Sequence, residues 1–369
     1  MITRDEYLNL PLRDRFIKMD GTEEERAKEL HRKLISIDLH SLIFFDETNV
    51  VQKVKGSKIE EHVFGDASRV PKIKRSGVTG FFHSVEAIHE NFHESMDLLG
   101  LLLYLTHKHP DFFPAFRAED FKRAKKENKQ AVMFQLEPQT FGRNLDNVDI
   151  AYGLGIRMAL LTFNTRTYAG DGCGERTDKG LSYFGMDLVE KLNTVGMLVE
   201  LSHVGIQTTL DTIEVSKDPC IFNHVGARSL FPQSKRLKTD DELKALAENG
   251  GLAGVSAIPN QLSNKKQQGI EDVMNHLDYI VNLIGVNHVG IGPDNIFGDH
   301  VGLLRQATKD AFSLTDIGME LNSPFMYGIE SPEDWPNITR GLVSRGYSDQ
   351  EIEKILGLNA LKLIQKVIG

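Results

Sequence analysis

The chain has 369 residues, 52 of them acidic and 43 basic, for a net charge of −9 with His neutral. Forty per cent hydrophobic and 26% charged residues are globular proportions that exclude disorder, and two Cys, in no C-x-x-C pair, exclude a disulfide scaffold and thiolate zinc modules. The one basic cluster, KRAKKENK at 122–129, reads as the solvated face of a helix, so an acidic chain of this kind has no footprint for nucleic acid or an anionic membrane.

In chain order, the opening MITRDEYLNLPLRDR is charged every few positions and carries no apolar signal segment. The longest apolar run, at 98–105, falls far short of the roughly 18 residues that a membrane span requires, so a soluble cytoplasmic protein is expected. Eight short apolar runs that end in polar or turn residues are then predicted as strands: LISID at 34–38, GVTGFFH at 77–83, AVMFQL at 131–136, IRMALLT at 156–162, MLVEL at 197–201, PCIFN at 219–223, GLAGVSAI at 251–258 and HVGIG at 288–292. Helical periodicity between them includes 184–192, 239–247 opened by Thr239 as N-cap, and 270–284. A last helix is expected over 349–367. Strands alternating with helices argue for a parallel sheet, and eight is the number that closes a (β/α)8 TIM barrel. The expected layout is a single domain: an N-terminal helical extension (1–33), the barrel (34–302) and a C-terminal helical extension (303–369). An open doubly wound sheet is the alternative. Phe44, Phe45, Phe81 and Phe82 read as barrel core.

Active sites of such barrels lie at the C-terminal ends of the strands. The residues just past the first, third, fifth, sixth and eighth runs are His40, Glu137, His203, His224 and Asp294. Three imidazoles and two carboxylates that converge on one mouth are the donor set of zinc or a similar divalent ion with an open position for water.

With these blocks in view, the sequence resembles the renal (membrane) dipeptidase family, the M19 metallopeptidases among the amidohydrolase-type barrels. The resemblance rests on MLVELSHVG (197–205), PCIFNHVGARSL (219–230), GGLAGVSAIP, HVGIGPD (288–294) and the tail from SPEDWPNITRG onward, in order and spacing. It implies that Glu137 bridges two zinc ions, that His203 and His224 bind the second ion, and that His40 belongs to an Asp-x-His-x-Asp motif of the first. It further implies that Arg228 clamps the substrate carboxylate and that Asp294 lies near the nucleophilic water and the substrate amine.

Two positions depart from the family pattern. Leu42 stands where the motif has its second Asp, and Phe163 where the fourth strand would carry a His near the developing oxyanion. One tightly held ion is therefore expected, with Asn164 or Arg166 as stand-ins on the Gly-rich segment 164–185. What the resemblance implies overall is a metal-dependent hydrolase acting on a dipeptide or similar small amino-acid amide, with a homodimer allowed. A hydrolase or lyase of another small carboxylated metabolite is one alternative, and a degenerate ligand-binding barrel is the other. His89-Glu90-Asn91-Phe92-His93 is a literal H-E-x-x-H, but no third His follows it, and the barrel places it on an outer helix after the second strand.

Overall fold

The computed structural model describes residue 6, residue 9 and residues 19–46, 69–85, 91–136, 141–302 and 317–369, without the side chains of 45, 46 and 69. The eight expected runs all become strands: β1 (Ile37–Asp46), β2 (Gly80–Val85), β3 (Gln130–Leu136), β4 (Ile156–Leu160), β5 (Leu198–Glu200), β6 (Ile221–Val225), β7 (Leu252–Val255) and β8 (Val289–Ile291). Each pairs in parallel with the next, and β1 pairs with β8 through Asp38 and Ile291, so the sheet closes and the open-sheet alternative is excluded. The first run was expected to stop at Asp38 but continues to Asp46, which places His40 inside the strand. The short strand Asn295–Phe297 extends that edge by pairing with β1 from Ser41.

The helices among the described residues include α1 (Gly21–Lys33), α2 (Arg69–Arg75), α3 (Phe92–Lys108), α4 (Ala118–Glu127), α5 (Asp146–Leu154), α6 (Tyr183–Val195), α7 (Ile206–Val215), α8 (Asp240–Glu248), α9 (Ile270–Ile284), α10 (Pro336–Ser344), α11 (Asp349–Glu353) and α12 (Asn359–Val367). Thr239 caps α8 as expected, accepting from the Glu242 backbone N–H in a capping box. Among the described residues no helix is long and apolar enough to cross a membrane.

Two apolar layers hold the frame. Leu39, Phe82, Met133, Met158, Leu198, Ile221 and Leu252 fill the barrel floor, where Ala360, Leu361 and Ile364 of α12 pack against them. A second, larger layer joins the outer strand faces to the helices and includes Phe44, Phe81 and Trp335. The core reading of Phe44, Phe81 and Phe82 therefore holds, while the Phe45 side chain lies outside the described residues. The terminal helix is not the uniform one expected over 349–367, because a π-helical turn, Lys354–Leu358, separates α11 from α12. Two local demands coincide with that turn. Gly357 packs on the Ile35 carbonyl too closely for a β-carbon, and Asn359 donates to the Val286 and Val289 carbonyls at 2.8 and 2.9 Å.

Two strands carry an extra residue at the mouth. Between Asp38 and Ser41 β1 advances three positions while β2 advances two, and β6 does the same against β7 between Phe222 and Val225. Bulges of this kind re-aim side chains next to functional sites. Here they turn His40, and the consecutive Asn223 and His224, into the same cluster. Gly254 and Gly292 make room for the second bulge, since a β-carbon at either would collide with the Asn223 carbonyl.

Candidate metal centre

His40, His203, His224 and Asp294 meet at the C-terminal mouth, all buried. The His40 and His224 rings stack at 4.0 Å, and His224 tilts against His203 at 5.0 Å. One ligand atom from each of His40, His224 and Asp294 lies within 4.8 Å of the others. The Nε2 atoms of His203 and His224 are 3.0 Å apart. Burial, reinforced by the charge of Arg236, pushes both imidazoles well below the ordinary histidine value, so they are neutral, as ligands must be. Glu137 lies outside the described residues.

A chain of amides fixes the tautomers. His203 Nδ1 donates to Asn164 Oδ1 at 2.8 Å, and His224 Nδ1 donates to Asn223 Oδ1. Ser202 Oγ donates to that same oxygen at 2.9 Å, which leaves the Asn223 amide nitrogen to donate to Gln135 Oε1 at 2.8 Å and to His40 Nδ1 at 3.1 Å. Gln135 Nε2 reaches His40 Nδ1 at 2.7 Å. With two donors on its Nδ1, His40 carries its hydrogen on Nε2 and directs it at Asp294 Oδ1, 3.3 Å away. Burial alone would raise the Asp294 carboxyl, but His40 beside it, with His300 and Arg236, holds it below the usual carboxylate value.

Asp294 and Asn164 both take left-handed backbone, φ 60° and 59°, a conformation that Asp and Asn adopt more readily than other non-glycine residues. The Asp294 N–H is pinned to the His40 carbonyl at 2.9 Å. The segment after β4 is equally tethered: Gly174 N–H donates to the Asn164 carbonyl at 2.7 Å and Cys173 N–H to the His203 carbonyl at 2.9 Å. Asn164 thus orients His203 from behind. Arg166 turns away, paired with Asp171 and half exposed. Phe163 stacks on the His203 ring at 4.1 Å and 25°. Leu42 is buried in the large apolar layer.

Arg228 is not brought to the imidazoles by its described contacts; its guanidinium donates to the carbonyls of Leu237, at 2.9 Å, and Lys235. The arginine that reaches them is Arg236, which donates to His224 Nε2 at 2.6 Å and to the Ser202 and His224 carbonyls. The sequence reading missed Arg236, Gln135 and Asn223. Gln135 and Asn223 left one signal, a polar residue at or one place before the end of an otherwise apolar strand run; nothing local marks Arg236. Of the H-E-x-x-H residues, His89 and Glu90 lie outside the described residues. His93 is on the exposed side of α3, 3.7 Å from Asp97.

A sequence profile of the membrane dipeptidase family, peptidase family M19, matches residues 24–324. The chain belongs to that family. Among similar proteins, "Dipeptidase tcpJ" of Claviceps purpurea (strain 20.1) is 28% identical over 280 residues, which cover 74% of this chain and 59% of that protein. The chain spans about half the length of the curated relatives it matches. A solved amidohydrolase from Pseudomonas aeruginosa aligns with a TM-score of 0.80 and 26% identity over 93% of this M19 chain and 99% of its own. A metallo peptidase from Rhodobacter sphaeroides, solved with a phosphinate mimic of the dipeptide L-Ala-D-Ala, aligns at 0.73 over 90% and 99% of the two chains. At 19% identity that second likeness concerns the fold alone.

Proposed function

We propose that this M19 chain hydrolyses the amide bond of a dipeptide or similar small amino-acid amide with a divalent metal ion, zinc by the nature of its donors. The observation that carries this reading is the pair of neutral imidazoles, His203 and His224. Their Nε2 atoms stand 3.0 Å apart while both Nδ1 hydrogens are committed to asparagine oxygens. Two lone pairs so placed fit one tetrahedral ion that takes the place of the Arg236 hydrogen bond on His224 Nε2, with Asp294 beside them and Glu137 as the carboxylate that the family resemblance supplies. When bound, such an ion activates water near neutral pH and polarises a carbonyl.

The protein's own groups do the rest. Asp294, kept ionised by its neighbours, accepts the proton of the attacking water and returns it to the departing amine. His40 holds Asp294 in place through Nε2, and because Leu42 offers no second carboxylate beside it, we assign one ion per chain. Arg236, rather than Arg228, offers the guanidinium fork beside the imidazoles that a substrate carboxylate needs. Phe163 walls one side of His203 with an apolar ring. The two free cysteines suit a reducing, cytoplasmic setting. We also read residues 34–302 as one barrel with additions on both sides, since α12 packs into the barrel floor.

Elemental analysis joined to a panel of L,L and L,D dipeptides tests the reading. One ion per chain and turnover that disappears in His203→Ala are expected. Arg236→Met should lower kcat/KM for dipeptides with a free carboxylate about 100-fold, from a lost charged hydrogen-bond pair of roughly 3 kcal/mol, while Arg228→Met should not. Metal-free protein, or full activity in His203→Ala, overturns it.

A further inference from the structure

Lys238 and Glu242 form a buried ion pair one layer behind the imidazoles, 3.0 Å apart and 2% and 1% exposed at the side chain. A buried pair is a weak source of stability, because desolvation offsets its attraction and apolar residues of the same volume often do as well. The contacts of this pair point to another role. Lys238 Nζ donates to the Val204 carbonyl at 2.8 Å and to Thr209 Oγ1 at 3.0 Å, and it lies 4.8 Å from the centre of the Phe222 ring. Val204 directly follows His203, and Phe222 lies two residues before His224 on the bulged strand β6. The Lys238 backbone is itself fixed to the segment that follows His224, donating to the Gly226 carbonyl and accepting from Arg228 N–H at 2.9 and 2.8 Å. One ammonium therefore ties the loop that carries His203 to the strand that carries His224, and Glu242, fixed in the capped first turn of α8, anchors that ammonium.

We infer that Lys238, anchored by Glu242, is a positioning residue that sets the His203–His224 spacing and hence the affinity of the centre for its metal ion. The inference rests on the reading that these two imidazoles hold the ion. Outer groups that orient ligands are worth about 10- to 100-fold in metal affinity.

The test compares the full-length wild type with Lys238→Met and with the Lys238→Met/Glu242→Met double variant. Lys238→Met strands a buried carboxylate and loses stability; the double variant removes both charges and stays folded. Zinc Kd is read by chelator competition, and the visible absorption of added cobalt(II) reports the ligand geometry. The expected result is a double variant whose Tm stays near that of wild type, whose zinc Kd rises at least about tenfold, and whose cobalt band shifts. A folded double variant with the wild-type Kd and cobalt spectrum overturns the inference and leaves the metal reading intact. A wild type that binds neither ion removes the metal reading, and this inference with it.

Discussion

His31, in the last turn of α1, offers the cleanest pH-dependent test of the packing between the N-terminal helix and the rest of the chain. It is buried, with Nε2 donating to the Ser76 carbonyl at 2.7 Å and Nδ1 accepting from Thr339 Oγ1 of α10 at 2.8 Å. Both ring nitrogens of the neutral form are satisfied. Burial lowers its pKa from 6.5 to about 4, against the Ser76 hydrogen bond, which raises it. The folded state thus binds this proton less tightly than the unfolded chain, so stability is complete above pH 6.5 and drains away as the pH falls toward 4. The gap of about 2.5 units corresponds to roughly 3.4 kcal/mol once fully developed. Between pH 7 and pH 5 the loss is about 1.8 kcal/mol, from the difference in proton uptake of a 6.5 and a 4 group. Urea-unfolding free energies of wild type and His31→Gln at pH 7, 6 and 5 isolate it. The wild type should lose about 1.8 kcal/mol more than the variant over that range. Parallel curves for the two proteins would refute the argument.

Trp335→Phe keeps most of the packing but removes the 2.9 Å hydrogen bond from Trp335 Nε1 to the buried Asp38. A loss of about 1–3 kcal/mol is expected in thermal or urea unfolding, and an unchanged Tm would show that the bond is idle. Gly292→Ala places a methyl group against the Asn223 carbonyl, so the β6 bulge must shift. It should cost more than about 2 kcal/mol and weaken zinc binding, whereas Gly100→Ala, with open space around it in α3, should be neutral or slightly stabilising. Equal effects at the two glycines would show that the bulge does not depend on Gly292.

The barrel was legible because each of its strands is an apolar run with a sharp polar end, a pattern set by local burial. The convergence of His40, His203, His224 and Asp294 was legible once the topology was assumed, since a closed parallel sheet carries every strand's C-terminal end to one mouth. Arg236 was hidden for a different reason. It sits on a connecting segment twelve residues after His224, held there by carbonyls of Ser202 and His224, and no spacing rule says where a loop will fold back. Arg228 was expected as the clamp because it matches the arginine of the family resemblance; in the structure its guanidinium donates to the Leu237 and Lys235 carbonyls, in the very segment that carries Arg236. The tie between Asp38 and Trp335 spans 297 positions, beyond any local signal.

The bulges explain why strand-end reasoning found half of the cluster and missed the amides. Strict alternation sends successive residues of a strand to opposite faces, so His224 in the mouth would consign Asn223 to the outer face. The extra residue in β6 breaks that alternation, and both side chains enter the cluster, Asn223 to fix the tautomers of His224 and His40 and His224 to face His203. Gly254 and Gly292 are the sequence trace of this break, because a residue with a β-carbon at either position would leave no space for the displaced Asn223 carbonyl. The chemistry of the centre therefore depends on backbone irregularity as much as on ligand identity. Substitutions at those glycines should disturb metal binding even though neither glycine can touch an ion.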